Sequence, residues 1–136
     1  MGRKQTREAL MQLIYQMDLN KNFSKEEVMN FLENFDLRDC EIEYLKDSAF
    51  GVIDNLEYIN ELIEKYTEGW TLERLPKVDL SILRIAFYEI LYREDIPVEV
   101  SINEAIEIAK KYSTPDAFKY INGVLGSFVR ANDLYE

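Results

Sequence analysis

The sequence has no histidine and only one cysteine, Cys40. The first absence removes the commonest general base and the commonest metal ligand together. The second leaves no partner for an intrachain disulfide and too few thiolates for an ordinary zinc site. Neither a metal nor another cofactor is therefore expected, and Cys40 reads as a structural thiol in a reducing, cytoplasmic setting. Glycine (five) and proline (three) are scarce, and no glycine-rich phosphate loop, repeat or proline-rich linker occurs. No apolar run approaches the roughly 18 residues of a membrane span, and the N-terminus carries no signal-peptide core. Serine and threonine hydroxyls lack a histidine base. The carboxylate pairs Glu26 with Glu27, Glu94 with Asp95, and Glu104 with Glu107 are those an acidic helical chain carries by chance. The chain is read as a binding protein, not an enzyme.

What is present is acidic and apolar in helical rhythm. The net charge is −10 over 136 residues, and it is unevenly spread. Residues 1–40 carry six basic and seven acidic side chains, residues 41–100 six and fourteen, and residues 101–136 four and five. The two ends are near neutral and have room for a local basic patch, whereas the middle suits a basic partner. The length fits one domain, 1–136, and the periodicity is helical throughout, so the fold expected is all-α, a compact bundle of six or seven helices.

The first helix is expected over Arg3–Leu19, with Ala9, Leu10, Leu13, Ile14 and Met17 inward. Arg3, Lys4 and Arg7 sit in its first turns, where the helix dipole disfavours cations, so they call for another role. Ser24 with Glu27 forms a capping box for a short second helix. Apolar spacing then runs from Cys40 to Trp70, with a possible break at Asp54-Asn55. Glu57, Glu61, Glu64 and Glu68 make an acidic outer stripe. The segment from Lys77 to Arg93 is apolar on most of its circumference and is expected to be the central post. Arg84 within it should be structural, with Glu104 as a candidate partner.

The densest signal runs from Val98 to Gly126. Ser101 with Glu104 reads as a capping box, and Thr114 with Pro115 as the start of the last helix. Gly123 and Gly126 within that helix suggest close approach to a neighbour. Beyond 130 the chain is expected to fray.

Ile102-Asn-Glu-Ala-Ile-Glu-Ile-Ala-Lys110 and Lys119-Tyr-Ile-Asn-Gly-Val-Leu125 resemble the C-terminal signature of the NusB family of transcription antitermination factors. Val78-Asp-Leu-Ser-Ile-Leu-Arg-Ile-Ala-Phe-Tyr-Glu-Ile-Leu-Tyr92 and Asp95-Ile-Pro97 match in the same order and spacing. Arg3-Lys-Gln-Thr-Arg-Glu-Ala9 with Tyr15 matches more loosely.

The resemblance implies two orthogonally packed helical subdomains. It implies binding of boxA-type single-stranded RNA together with NusE, a small-subunit ribosomal protein, in an antitermination complex with RNA polymerase on ribosomal RNA transcripts. Arg3, Lys4, Arg7, Tyr112, Lys119 and Tyr120 fall at its basic and aromatic RNA-binding positions, and Tyr15 and Asp79 at or near its NusE contact. RNA binding needs such parts: cations for phosphates, and flat rings on which unstacked bases stack. The basic run is short, and Pro115 replaces a more usual acidic or small residue, so RNA is expected to bind well only with the partner. The alternative is a non-enzymatic protein-only interaction module or homodimer that does not bind RNA.

Overall fold

The segment richest in apolar residues becomes α5 (Lys77–Tyr92), buried along nearly its whole length. In the computed structural model, which describes residues 2–134, it is preceded by α1 (Gly2–Leu19), α2 (Lys25–Asn34), α3 (Ile42–Asp54), α4 (Leu56–Tyr66) and a 3₁₀ turn at Leu72–Arg74. It is followed by α6 (Val98–Tyr112) and α7 (Ala117–Ala131). Among the described residues there is no strand.

Helices α1, α2 and α3 pack on one another, and α4, α6 and α7 gather round α5, which also touches α1 and α3. One continuous apolar core joins the two groups, from Leu10, Leu13 and Ile14 through Leu83 and Phe87 to Leu125 and Phe128. Phe87 stacks on Phe128 at 4.4 Å between ring centroids.

The helix ends follow local chemistry. Ser24 accepts the Glu27 amide at 3.2 Å, as its sequence pattern predicts. The chain leaves α1 in a Schellman turn: Asn22 N–H donates to the Met17 carbonyl at 2.9 Å, with Lys21 in the left-handed region. The end of α7 repeats the motif. Leu134 N–H donates to Val129 O at 3.0 Å across Asp133, and Asn132 Nδ2 reaches the Tyr66 hydroxyl. The expected fraying is therefore not seen through Leu134; positions 135 and 136 lie outside the described residues.

Four other expectations are corrected. Ser101 lies inside α6 rather than capping it, because Pro97 opens the helix and the serine hydroxyl turns inward. Thr114 and Pro115 form a turn ahead of α7, which opens after Asp116. Arg84 pairs with Asp18 at 3.0 Å and with Asn60 Oδ1 at 3.0 Å, not with Glu104. A Cβ on Gly123 would meet nothing within 4 Å, and one on Gly126 would meet only Arg130 of its own helix. The close approach occurs at Gly51 instead. There α3 crosses α5, and an added Cβ would fall 2.7 Å from Tyr88 Cζ.

Candidate nucleic-acid interface

α1 and α6 both pack on α5, and long polar side chains bridge them across a shallow trough. Lys4, Gln5 and Glu8 line it from α1, and Glu107, Lys110 and Lys111 from α6. Lys110 and Lys111 stand in the last turn of α6, where the helix dipole favours positive charge. Tyr112 follows at the rim, 39% exposed, and its hydroxyl donates to Glu8 Oε1 at 2.8 Å. Burial, then the hydrogen bond and charge of Glu8, push the Tyr112 phenol up. Lys111 Nζ donates to both Glu8 oxygens at 3.0 Å. Lys110 lies 4.9 Å from the Phe118 ring centroid, and Lys119 lies 6.0 Å from the same ring. The cationic surface thus continues onto α7 with an aromatic ring between two lysines, an arrangement worth about 0.5–1 kcal/mol per exposed pair.

The sequence-predicted RNA residues are divided among four places. Lys4 lines the trough, Tyr112 stands beside it in the adjoining depression, and Lys119 joins its extension. Arg3 turns the other way, bonding Glu41 at 2.8 and 3.0 Å and lying over the Tyr44 ring. Tyr120 faces a different depression, with Trp70, Pro76, Asp79 and Ala117. Its hydroxyl is buried without a well-formed hydrogen bond, although Thr67 lies nearby. Burial pushes that phenol up.

Arg7 is removed from any surface role. It is 4% exposed, and its guanidinium grips Glu89 at 2.8 and 3.0 Å. Glu89, 1% exposed on α5, also accepts from Ser101 at 2.7 Å and from the Tyr44 hydroxyl. Burial lowers the Arg7 pKa, but the bond and charge of Glu89 more than offset this and hold it above the usual value. Burial first, then the Glu89 charge, raises Tyr44. This network joins α1, α3, α5 and α6 and fixes α1 against α6. A phosphate has no route to Arg7, whose effect on the trough is to position it. Spacing alone did not distinguish Arg7 from Arg3 and Lys4, although its place one turn before Met11, within the apolar stripe of α1, marks the buried side.

Of the expected partner residues, Tyr15 is half-buried against the core. Asp79 is 5% exposed, and its carboxylate accepts from Ser113. Burial holds the Asp79 carboxyl above its ordinary range, with Ser113 pulling it back in part. A raised folded-state pKa means that ionisation opposes folding: the contribution is favourable below the unfolded value and is lost as pH rises through the folded one. Asp79→Asn should therefore raise the melting temperature at pH 7, and the gain should shrink as pH falls below the carboxylate range. Thermal melts of both proteins at pH 7 and pH 3.5 check this.

Sequence reasoning missed Gln5, Lys110, Lys111 and Phe118. The two lysines were legible only as helix-terminal charges, and Phe118 as part of the apolar face of α7. Among the described residues, no three His, Cys, Asp or Glu side chains cluster as metal ligands, and no helix is long and apolar enough to cross a membrane.

The NusB family model matches residues 4–130. The chain belongs to the NusB family. The transcription antitermination protein NusB of Acetivibrio thermocellus is 48% identical over 130 residues, covering 96% of this chain and 90% of the relative. That of Thermoanaerobacter sp. (strain X514) is 44% identical over 136 residues, covering 100% and 96%. Among solved structures, T. maritima NusB superposes with a TM-score of 0.83 at 36% identity, covering 96% of this chain and 92% of that one. A crystal structure of the antitermination factors NusB and NusE in complex with dsRNA superposes with a TM-score of 0.81 at 26% identity, covering 95% and 96%. The two solved structures share the helical architecture over nearly the full chain.

Proposed function

We propose that this NusB-family chain is a transcription antitermination adaptor, not an enzyme. It acts in the cytoplasm as one unit over 1–136. It binds boxA-type single-stranded RNA jointly with NusE, within an antitermination complex with RNA polymerase on ribosomal RNA transcripts. The observation that carries this reading is the trough, lined by Lys4, Lys110 and Lys111, with the exposed ring of Tyr112 in the adjoining depression, 5.3 Å from Lys111 Nζ. Such a surface offers phosphate contacts and a stacking platform, each stacked base adding about 1–3 kcal/mol. Lys119 and Phe118 extend it onto α7. The related NusB crystallised with NusE and dsRNA supports both partners.

On the other side, Asp79, Trp70 and Tyr120 line the depression assigned to the protein partner, with Tyr15 on α1 as a further contact. Asp79 holds a charge that its surroundings disfavour, which fits a group kept for a basic partner. The exposed acids Glu57, Glu61 and Glu64 of α4, with Glu68 in the turn after it, would speed that partner's encounter.

The test is fluorescence anisotropy with a boxA-like strand and a scrambled one, with and without NusE, at two salt concentrations. Selective binding that tightens with NusE is expected. Lys4→Ala/Lys119→Ala should weaken it and flatten the slope of log K against log salt by about 0.7 for each phosphate no longer neutralised. Asp79→Lys should abolish the tightening by NusE. No selective binding even with NusE would move the chain to the protein-only or homodimeric reading.

A further inference from the structure

Each cation of the trough already holds an acid. Lys4 lies 3.5 Å from Glu104, Lys110 lies 3.9 Å from Glu107, and Lys111 lies 3.0 Å from Glu8. Glu8 differs from the other two acids because it engages a cation and a ring together. Its carboxylate accepts two hydrogen bonds from Lys111 and one from the Tyr112 hydroxyl. It also stands, with Gln5, on the wall shared by the trough and a second depression that runs towards Gln12 and Phe35. A strand crossing from one to the other must pass over it.

We propose that Glu8 is a built-in competitor for phosphate, occupying the site between Lys111 and Tyr112 that an RNA phosphodiester must take and so raising the anchoring a strand needs before it binds. Two oxygens of one anion, facing an ammonium and a phenol, is the arrangement a phosphodiester's free oxygens would adopt. A phosphate entering there exchanges one anion for another and gains little. A strand that also stacks on Tyr112 and is anchored elsewhere along the trough gains enough to displace the carboxylate. Generic RNA does not. Glu8 thus lowers affinity for every strand that enters, and leaves weakly anchored RNA unbound at concentrations where a well-anchored strand stays bound. The surface pair itself adds little to stability, since Glu8 and Lys111 are both solvent-accessible.

The inference rests on the RNA-binding reading for its biological meaning, but its physical claim is tested separately. Glu8→Gln removes the charge and keeps the shape. It should bind a scrambled RNA oligonucleotide roughly fivefold more tightly than the unaltered chain, the factor that one unit charge about 4 Å away supplies in water. The salt slope should steepen by about 0.7, reporting one more phosphate neutralised on a single strand. The ratio of boxA to scrambled affinity should not fall, because both strands are released from the same competition. Glu8→Gln/Lys111→Ala should bind scrambled RNA no better than Lys111→Ala, because the released group is that lysine. Glu8→Ala, with melting followed by circular dichroism, repeats the test should the glutamine variant fold poorly.

Gain on scrambled RNA without any boxA selectivity in the unaltered chain would support the competitor and overturn the boxA reading. Unchanged binding of scrambled RNA by both variants would overturn the competitor. So would weaker binding of both strands, which would make Glu8 a positioning residue for Lys111 and Tyr112.

Discussion

Glu89→Leu is expected to lower the stability of the fold by about 3–5 kcal/mol, the cost of leaving one partner of a buried ion pair alone. For a chain of this size that corresponds to a fall in melting temperature of roughly 10–20 °C. The reason lies in what the carboxylate holds. It accepts two bonds from Arg7, one from Ser101 and one from Tyr44, and all four residues are buried. Without it the Arg7 guanidinium has only Glu104, 3.9 Å away, and two hydroxyls lose their acceptor. Adding Arg7→Met should restore much of the loss, because the unpaired charge, and not the missing bonds, is the larger cost. Thermal and urea unfolding of the single and double variants measures both. A single variant that melts with the unaltered chain would show that the network contributes nothing. RNA affinity should fall with the folded fraction in Glu89→Leu, since the same carboxylate sets α1 against α6.

Gly51→Val is the second large effect, about 3 kcal/mol of destabilisation, at the upper end for overpacking a closed site. A Cβ at Gly51 would lie 2.7 Å from Tyr88 Cζ and 2.9 Å from its hydroxyl. Tyr88 is buried, and its ring lies 5.7 Å from that of Tyr92, centroid to centroid, so it cannot swing away freely. Gly51→Ala should cost less, because alanine recovers about 1 kcal/mol of helix propensity against the same clash. Tyr88→Ala in the Gly51→Val chain should return part of the stability by emptying the space the new side chain needs. Melting temperatures of the three variants decide this. A Gly51→Val protein as stable as the original would mean that α3 and α5 can move apart without loss.

The all-helical fold was legible in the sequence because apolar residues recur with helical period along every long element. α5 was legible because apolar residues cover most of its circumference. The ends were harder. Ser101 and Glu104 have the spacing of a capping box, yet Pro97 already opens the helix four residues before the pattern begins. Ser101 then serves Glu89, a partner twelve residues away that no local pattern names. Arg84 could be read as structural from its apolar neighbours, but choosing Asp18 over Glu104 required knowing which face of α1 meets α5. Gly51 gave no local sign, since only the ring it faces explains it. The same limit applied to the trough. Lys4 and Tyr112 were legible as residue types, whereas the carboxylate that holds Lys111 and Tyr112 is visible only once α1 and α6 lie together.

The network around Glu89 also dictates when the protein can become itself during synthesis. Its bonds span 82 residues to Arg7, 45 to Tyr44 and 12 to Ser101. As the chain leaves the ribosome, α1 to α3 emerge first with the Arg7 charge unanswered, and they have no α5 to pack on. Burying that guanidinium without its carboxylate would leave an unpaired charge in the core, so Arg7 has no low-energy buried place until α5 is out. Only when Ser101 has followed Glu89 out can the four helices close in one step, and an adaptor truncated before that point would have neither a core nor a trough.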